Sequence, residues 1–172
     1  NIKLTFREDF AMNETRTGVG VDTHAFGGDK NYIVLGGVRI PAASGLVAHS
    51  DGDVLCHAVM DALLSAAGLS DIGHYFPDTD PQYKGANSLI LLENVRKLIE
   101  NEGFCAENVS AAIVAQAPKL APHIRQMKQN LAHALQISER AVGITAGTNE
   151  GLGYLGRGEG ITVIASVLIK TI

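Results

Sequence analysis

The sequence contains no tryptophan, and aromatic residues make up only 5% of its 172 positions. It also has no run of basic residues, and its formal net charge is −4. Both deficits argue against a nucleic-acid-binding surface, which needs positive charge for the phosphates and often aromatic rings for the bases. No apolar stretch reaches the about 18 residues that a membrane-spanning helix requires. We therefore expect neither nucleic acid nor a membrane as a partner.

Cysteine is nearly absent as well. Cys56 and Cys105 are the two cysteines of the sequence, and their spacing matches neither a metal-binding nor a redox motif. We expect both to be small buried residues. The compartment is then expected to be a reducing one, either the cytoplasm or, in a eukaryote, a plastid-like stroma.

What the sequence does contain is typical of one compact domain. Hydrophobic residues make up 46% and charged residues 19%, and the 19 glycines suggest tight turns and close approach of backbone to ligands. We assign residues 17–172 to this domain. Residues 1–16 are predicted to be a linker or the tail of a preceding domain, because they lack the glycine-rich texture that follows.

Strand and helix patterns alternate along the domain. Residue patterns predict strands at 17–24, 109–116, 142–147 and 161–169, a hairpin at 32–40, and helices from 50 to 68, 86 to 102 and 122 to 136. This alternation favours an α/β fold, an α+β sandwich with one mixed sheet and helices packed on one face. The strand at 161–169 is apolar on both faces, so a second subunit is expected to cover one of them.

The stretch 48–57 gathers unusual polar chemistry at the start of a predicted helix. Ser50 followed by Asp53 matches an N-cap pattern, which would place acids in the first helical turn. Asp53, His57 and Asp61 are four residues apart and are predicted to lie opposite the apolar stripe. A capped helix with a solvated face is one interpretation. The crowding with His49, and the position of His57 off the core stripe, favour a functional site.

Asp22 and His24 are two residues apart and so point the same way from the strand at 17–24, while Val19, Val21 and Thr23 point the other way. Gly18 and Gly20 lie on the same face and are expected to leave space beside them. Alone, this pattern is often just a polar strand end. Together with His57 it forms a set of two histidines and one carboxylate, which suits Zn²⁺, or another divalent transition metal, with a fourth position open for substrate.

Two loops allow more than one interpretation. The acidic segment 76–81 is either a pair of Asx turns or a ligand-binding loop. Lys119 lies in a strand-to-helix turn, where it could meet an anion or face solvent. The glycines at 151–160 do not follow a first strand, so they are not a dinucleotide fingerprint, and the sequence has no Walker loop or nucleophile elbow.

Taken together, these motifs resemble the 2-C-methyl-D-erythritol 2,4-cyclodiphosphate synthase family over residues 17–170. The resemblance is carried by motifs in the same order along the chain: DTHAFG (22–27), LGGV (35–38), AHSDGD (48–53), DIG (71–73), FPDTD (76–80), AQAPK (115–119), TxExxG (148–153) and GRGEG (156–160). It implies that Asp22, His24 and His57 hold Zn²⁺. It also implies a second ion, Mg²⁺ or Mn²⁺, at Glu150.

The resemblance further implies residue roles in the reaction. His49 and Thr148 match positions that stabilise the transition state. The matching substrate contacts are Ser50, Asp71, Ile72, Gly73, Phe76, Asp78 and Asp80 around the methylerythritol phosphate, Ala115, Pro118, Lys119, Leu120 and Ala121 in the cytidine pocket, Gly147 and Asn149 near the diphosphate, and Tyr154 and Arg157 at a central cavity.

The family's reaction would then be the expected one. The substrate 4-diphosphocytidyl-2-C-methyl-D-erythritol 2-phosphate is cyclised by attack of its own 2-phosphate on the β-phosphorus, and CMP leaves. Family members are homotrimers with each site between neighbouring subunits, and some bind an isoprenoid diphosphate in the central cavity. Segment 1–9 resembles the end of the pathway's cytidylyltransferase, which implies a fused enzyme.

Two positions depart from the family pattern. Gly147 stands where a threonine is usual, which removes one hydroxyl contact to the diphosphate, and Tyr154 stands where phenylalanine is common. Two other functional classes therefore stay open. One is a phosphohydrolase that activates water on the same metal, and the other is a non-catalytic protein that binds a metal or an isoprenoid.

Overall fold

The computed structural model describes residues 14–172. Seven strands and five helices are found in this part of the chain: β1 (Thr15–Gly28), β2 (Tyr32–Leu35), β3 (Val38–Pro41), β4 (Gly45–Leu46), α1 (Val54–Ala67), α2 (Ile72–Tyr75), α3 (Ser88–Asn101), β5 (Phe104–Val114), α4 (Ile124–Leu135), β6 (Val142–Gly147), α5 (Gly153–Gly156) and β7 (Gly160–Thr171). The predicted linker falls mostly on residues 1–13, outside the described residues. Thr15 and Arg16, which we had assigned to it, belong to β1.

The main sheet has five strands in the order β4-β1-β7-β5-β6. β5 and β6 run parallel, and the other neighbours are antiparallel, so the predicted mixed sheet is confirmed. β2 and β3 pair as the predicted hairpin, whose turn is Gly36-Gly37, both with positive φ. Several boundaries differ from the prediction. β1 extends to Gly28, and β5 begins at Phe104 and ends at Val114.

Helix α1 packs so closely on β1 that only glycine fits between them. A Cβ atom on Gly18 would lie 2.0 Å from the carbonyl oxygen of Ala62, and one on Gly20 would lie 2.1 Å from that of Ala58. The sequence interpretation, in which these glycines leave space beside Asp22, is wrong. The helix backbone occupies that space, and the close packing brings α1 against the strand that carries Asp22.

The start and the surface of α1 also differ from the prediction. Its N-cap is Asp53 rather than Ser50, so no acid lies in its first turn, because Asp51 and Asp53 both precede the helix. All of its 14 residues except Asp61 and Ser65 are buried, which rules out the alternative interpretation of a helix with a solvated face. The helix ends as predicted at Gly68, which has φ 75° and caps it in the left-handed conformation.

The remaining helices are shorter than predicted. α3 is capped by Asn87 and ends at Asn101, and α4 begins at Ile124 because Ala121–His123 forms a 3₁₀ turn. α3 packs between α1 and α4. Cys56 is buried as expected, but Cys105 is only half-buried.

The sheet face opposite α1 is not covered by any other part of residues 14–172. Val19, Val21 and Ile164 lie on it with exposed fractions of 59%, 57% and 47%. Val21 and Ile164 are register partners on adjacent strands, so the apolar surface is continuous. Within the described residues, helices thus pack on one face of the sheet, as predicted, and the other face exposes these three apolar side chains.

Within residues 14–172, no helix combines the length and the apolar character that crossing a membrane requires.

Candidate active site

The predicted metal ligands meet at one point, between the end of β1 and the first turn of α1. His24 Nε2 lies 3.1 Å and His57 Nδ1 lies 3.0 Å from Asp22 Oδ2. The two histidine nitrogens are 3.4 Å apart. Ligand atoms about 2.0–2.2 Å from a tetrahedral zinc ion are separated by about 3.3 Å, so this triangle has the dimensions of a zinc site. Three donors leave the fourth position open, as catalytic zinc sites do.

Each histidine is held by a hydrogen bond through its other ring nitrogen. His24 Nδ1 lies 3.0 Å from the carbonyl oxygen of Val47, which can only accept, so Nδ1 carries the proton and Nε2 is free to bind a metal. His57 Nε2 lies 3.1 Å from Ser88 Oγ and 3.2 Å from Ser50 Oγ. Protonation of Nε2 leaves Nδ1 of His57 as the ligand atom.

The electrostatics of Asp22 suit a metal ligand. Burial raises the pKa of this carboxyl, but hydrogen bonds with His24 and His57 outweigh burial and hold its pKa well below the usual range. The hydrogen bond with Asp22 raises the pKa of His24 in turn. A carboxylate that is ionised at neutral pH is ready to bind a cation without first losing a proton.

A cavity of about 320 Å³ opens beside this centre. It joins predicted residues from three parts of the chain, and its lining includes His24, His49, Ser50, His57, Ile72, Gly73, Phe76 and Asp78. The lining is mainly apolar around these polar groups, which is typical of a small-molecule site. A larger cavity of about 730 Å³, between α3 and α4, contains none of the predicted residues and lies away from the ligand triangle.

The acidic loops serve partly as caps. Asp71 Oδ1 accepts the N–H of His74 and begins α2, and Asp80 Oδ1 accepts the N–H of Gln82. Neither carboxyl lines the cavity beside the triangle, whereas Asp78 does. The turn interpretation therefore fits Asp80, whose carboxylate accepts a backbone N–H of its own loop. The ligand-binding interpretation is supported for Phe76 and Asp78, which line the cavity.

A second cavity, also of about 320 Å³, lies where β5 and β6 end. It is lined by the predicted nucleotide residues and their neighbours, including Ala115, Pro118, Lys119, Leu120, Ala121, Gly147 and Thr148. A Cβ atom on Gly147 would meet nothing within 4 Å, so packing does not require glycine there. Lys119 is the cationic side chain in this lining and could meet an anionic group.

The remaining predicted residues surround the end of β6 and the start of β7. Thr148 donates to Glu150 Oε1 at 2.9 Å, and Glu150 has a positive φ of 51°. Asn149 donates to the carbonyl of Leu152. Among the described residues, one group of metal-binding side chains comes together, and it does not include Glu150.

Tyr154 and Arg157 lie outside both cavities and are exposed. The hydroxyl of Tyr154 lies 3.0 Å from Thr162 Oγ1, and Arg157 forms an exposed ion pair with Glu159 at 2.6 Å. Within one chain, neither residue contacts the predicted metal centre.

The two cavities are separated by the width of the sheet. Asp22 pairs with Val163, Val163 with Ile113, and Ile113 with Ala146. With adjacent strands about 4.8 Å apart, Asp22 and Ala146 are about 14 Å from each other across this row. The ligand triangle and the second cavity are therefore well separated within one chain.

Comparison with known proteins decides the family. A model of the YgbB family matches residues 15–170. The chain belongs to the YgbB family. A Pseudomonas entomophila protein named 2-C-methyl-D-erythritol 2,4-cyclodiphosphate synthase is 56% identical over 154 residues, which cover 90% of this chain and 98% of that protein. The resemblance inferred from the motifs is thus confirmed.

Solved structures share the fold of this chain. The bifunctional IspDF from Campylobacter jejuni matches with a TM-score of 0.89 and 43% identity, over 99% of this chain and 48% of that protein. The chain thus spans about half the length of that bifunctional protein. The CDP complex of IspF from Plasmodium falciparum matches with a TM-score of 0.80 and 31% identity, over 94% of this chain and 99% of that one.

Four polar residues near the site were not assigned a role from the sequence. Asp53 accepts the N–H groups of Gly36, Gly37 and Cys56 and so fastens the hairpin turn to α1. Asp61 accepts the N–H of Ile72 at 2.9 Å and ties α2 to α1. The hydroxyl of Ser88 contacts Nε2 of His57 and donates to Asp51.

Local sequence signals for these residues were incomplete. An acid or asparagine before an apolar helical pattern indicates a cap. No local pattern indicates which distant N–H a carboxylate will reach.

Proposed function

We propose that the chain catalyses the cyclisation of 4-diphosphocytidyl-2-C-methyl-D-erythritol 2-phosphate to 2-C-methyl-D-erythritol 2,4-cyclodiphosphate, with release of CMP, in non-mevalonate isoprenoid synthesis. This makes it a phosphorus–oxygen lyase. The observation that carries the proposal is the triangle of Asp22, His24 and His57 beside a cavity lined by His49. The name of the Pseudomonas relative, at 56% identity, supports the choice of substrate.

The protein must position the substrate and neutralise its negative charge, but it does not have to provide a nucleophile. The attacking oxygen belongs to the substrate's 2-phosphate, which is already ionised at neutral pH, so no strong base is needed. Folding the substrate so that the 2-phosphate reaches the β-phosphorus converts the reaction into a well-oriented intramolecular step. His49 and Ser50 line the cavity where the methylerythritol phosphate would lie, and Thr148 lines the other cavity, near the diphosphate.

A zinc ion held by Asp22, His24 and His57 supplies Lewis-acid polarisation of a β-phosphate oxygen when it is bound. Glu150 is proposed to hold a second ion, Mg²⁺ or Mn²⁺, against the diphosphate. Lys119 and its neighbours at 115–121 are proposed to hold the cytidine end. The CDP complex of the Plasmodium protein supports a cytidine nucleotide as the occupant of that cavity.

We propose that the chain is a homotrimer whose subunits each complete the site of a neighbour. The open face with Val19, Val21 and Ile164 is the kind of exposed apolar patch that protein interfaces cover. The separation of the two cavities within one chain also supports an arrangement in which substrate bridges two subunits.

Sedimentation velocity tests this assembly, with an expected mass of three times the 18.2 kDa chain. Val21→Lys is expected to give monomers, because a lysine would place charge in the proposed interface. Ile90→Lys is the matched control, since Ile90 is 56% exposed on α3, and it should leave the trimer intact. A monomeric unaltered chain would contradict the proposal.

Two further partners belong to this proposal. Tyr154 and Arg157 are proposed to border a central cavity of the trimer that takes an isoprenoid diphosphate. The match to half of the Campylobacter IspDF supports a fused cytidylyltransferase domain as an additional partner, with residues 1–14, which precede β1, as its tail or linker. A cytoplasmic location stays a prediction.

Phosphorus NMR of the reaction tests the function directly. With the cytidylyl substrate and Mg²⁺, we expect CMP and the cyclic diphosphate to appear together, and a strong chelator should stop both. The reason is that the substrate's phosphates carry negative charge that the metal ions neutralise.

The other functional classes give different results in the same experiment. CMP with a linear phosphate would indicate a metal-dependent phosphohydrolase. No reaction by a trimeric, zinc-loaded protein would favour the binding role, and Gly147 would be the first residue to replace by threonine.

A further inference from the structure

We propose that Ser88 and Asp51 are positioning residues for the metal ligand His57. Ser88 Oγ lies 3.1 Å from His57 Nε2 and 2.5 Å from Asp51 Oδ1. The three side chains form one line, carboxylate to hydroxyl to imidazole, that ends at the ligand triangle. The inference rests on the metal centre of the proposed function and adds to it the groups that hold one ligand in place.

The direction of each hydrogen bond follows from the donors present. An ionised carboxylate only accepts, so the single hydroxyl proton of Ser88 goes to Asp51. The Ser88 oxygen then has lone pairs but no proton left for His57, and must accept the Nε2–H. This order places the imidazole proton on Nε2 and leaves the lone pair of Nδ1 pointing toward Asp22 and His24.

Burial and two hydrogen bonds hold Ser88 and Asp51 in fixed positions relative to each other. Ser88 is fully buried at the first position of α3, and Asp51 Oδ2 also accepts its backbone N–H at 2.9 Å. One carboxylate thus binds the backbone and the side chain of the same residue. A buried hydroxyl held this way has little freedom to rotate, so it presents its lone pair to His57 in one direction.

Ser50 cannot replace Ser88 in this role. Its hydroxyl oxygen lies 3.2 Å from His57 Nε2 but also accepts the N–H of Gly52 at 3.3 Å, and it lines the cavity. No carboxylate contact is found for Ser50 in the described part of the chain. It has no partner to take its proton in one fixed direction, so the orientation of His57 depends on Ser88.

Zinc affinity measured by competition with a chromophoric chelator tests this inference without turnover. Partners that orient a metal-bound histidine typically change metal affinity by about 10–100-fold, and we expect a loss in this range for Ser88→Ala. Asp51→Asn keeps the size of the side chain and removes its charge, so we expect a smaller loss in the same direction. The cobalt-substituted forms of both variants should show altered visible spectra, because the ligand field changes when His57 turns.

Asn87→Ala is the matched control. Asn87 caps α3 through the N–H of Leu89 and lies next to Ser88, but it is not among the hydrogen-bond partners of the His57 ring. It should lower stability and leave zinc affinity unchanged. If Ser88→Ala and Asp51→Asn bind zinc as tightly as the unaltered protein, the inference is wrong. If the unaltered protein binds no zinc, the metal centre and the proposed function fail together.

Discussion

Asp22→Ala is expected to remove zinc from the purified protein and to reduce turnover by more than about 100-fold. Loss of a residue that only orients a ligand costs about 10–100-fold in metal affinity or activity, and Asp22 is itself a member of the triangle. Its Oδ2 is the atom that lies near both histidine nitrogens. Without it, only the two imidazoles remain as ligands and no negative charge offsets that of the cation.

Metal analysis of the purified variant and its rate of CMP release measure this effect. Asp29→Ala is a suitable control, because Asp29 is an exposed carboxylate just beyond the same strand. It changes the net charge equally and should keep both zinc and rate. An Asp22→Ala protein with full zinc content and full rate would show that the metal assignment is wrong.

Gly20→Ala is expected to lower the free energy of unfolding by about 3 kcal/mol, at the upper end of the usual cost of overpacking. The added Cβ would lie 2.1 Å from the carbonyl oxygen of Ala58 and 2.6 Å from the nitrogen of Ala62. Both atoms belong to the backbone of α1, so no side chain can turn aside and the helix must move. Because α1 carries His57, the same movement should widen the ligand triangle and weaken zinc binding.

Urea unfolding measures the stability change, and the chelator competition measures the change in zinc affinity. Gly143→Ala is the matched control, since Gly143 lies in the same sheet and its added Cβ would be 3.8 Å from the nearest atom. That variant should stay within about 0.5 kcal/mol of the unaltered protein. Equal stability of the two variants would contradict the packing argument.

The hairpin, the C-terminal glycine of α1 and the alternation of Asp22 and His24 were predictable from the sequence. Each depends on residues within a few positions of one another, where backbone geometry leaves few choices. The Gly36-Gly37 turn needs positive φ at both positions, and a strand necessarily points residues i and i+2 the same way. The family resemblance extended these local patterns to a metal set and two binding regions.

Predictions that depended on distant neighbours were less reliable. The local pattern predicted Ser50 as the N-cap of α1, but the N-cap is Asp53. Its carboxylate also accepts the N–H groups of Gly36 and Gly37 in the distant hairpin, which the local pattern does not show. The alternative interpretation of α1 as a helix with a solvated face fails for a similar reason, because β1, β7 and α3 pack around the helix. The periodicity of the helix sequence does not show that the hairpin, the two strands and α3 lie around it.

The sequence by itself determined the chemistry available to this protein: two histidines and a carboxylate of the right types, a glycine-rich strand, and the family. Only the tertiary structure decided that Gly18 and Gly20 admit a helix rather than a ligand, and that Ser88 and Asp51 lie behind His57. The physical reason is the distance along the sequence over which each constraint acts. Local patterns restrict φ, ψ and side-chain direction, whereas the partner of a buried hydroxyl or carboxylate depends on strand register and helix placement, which the whole core sets together.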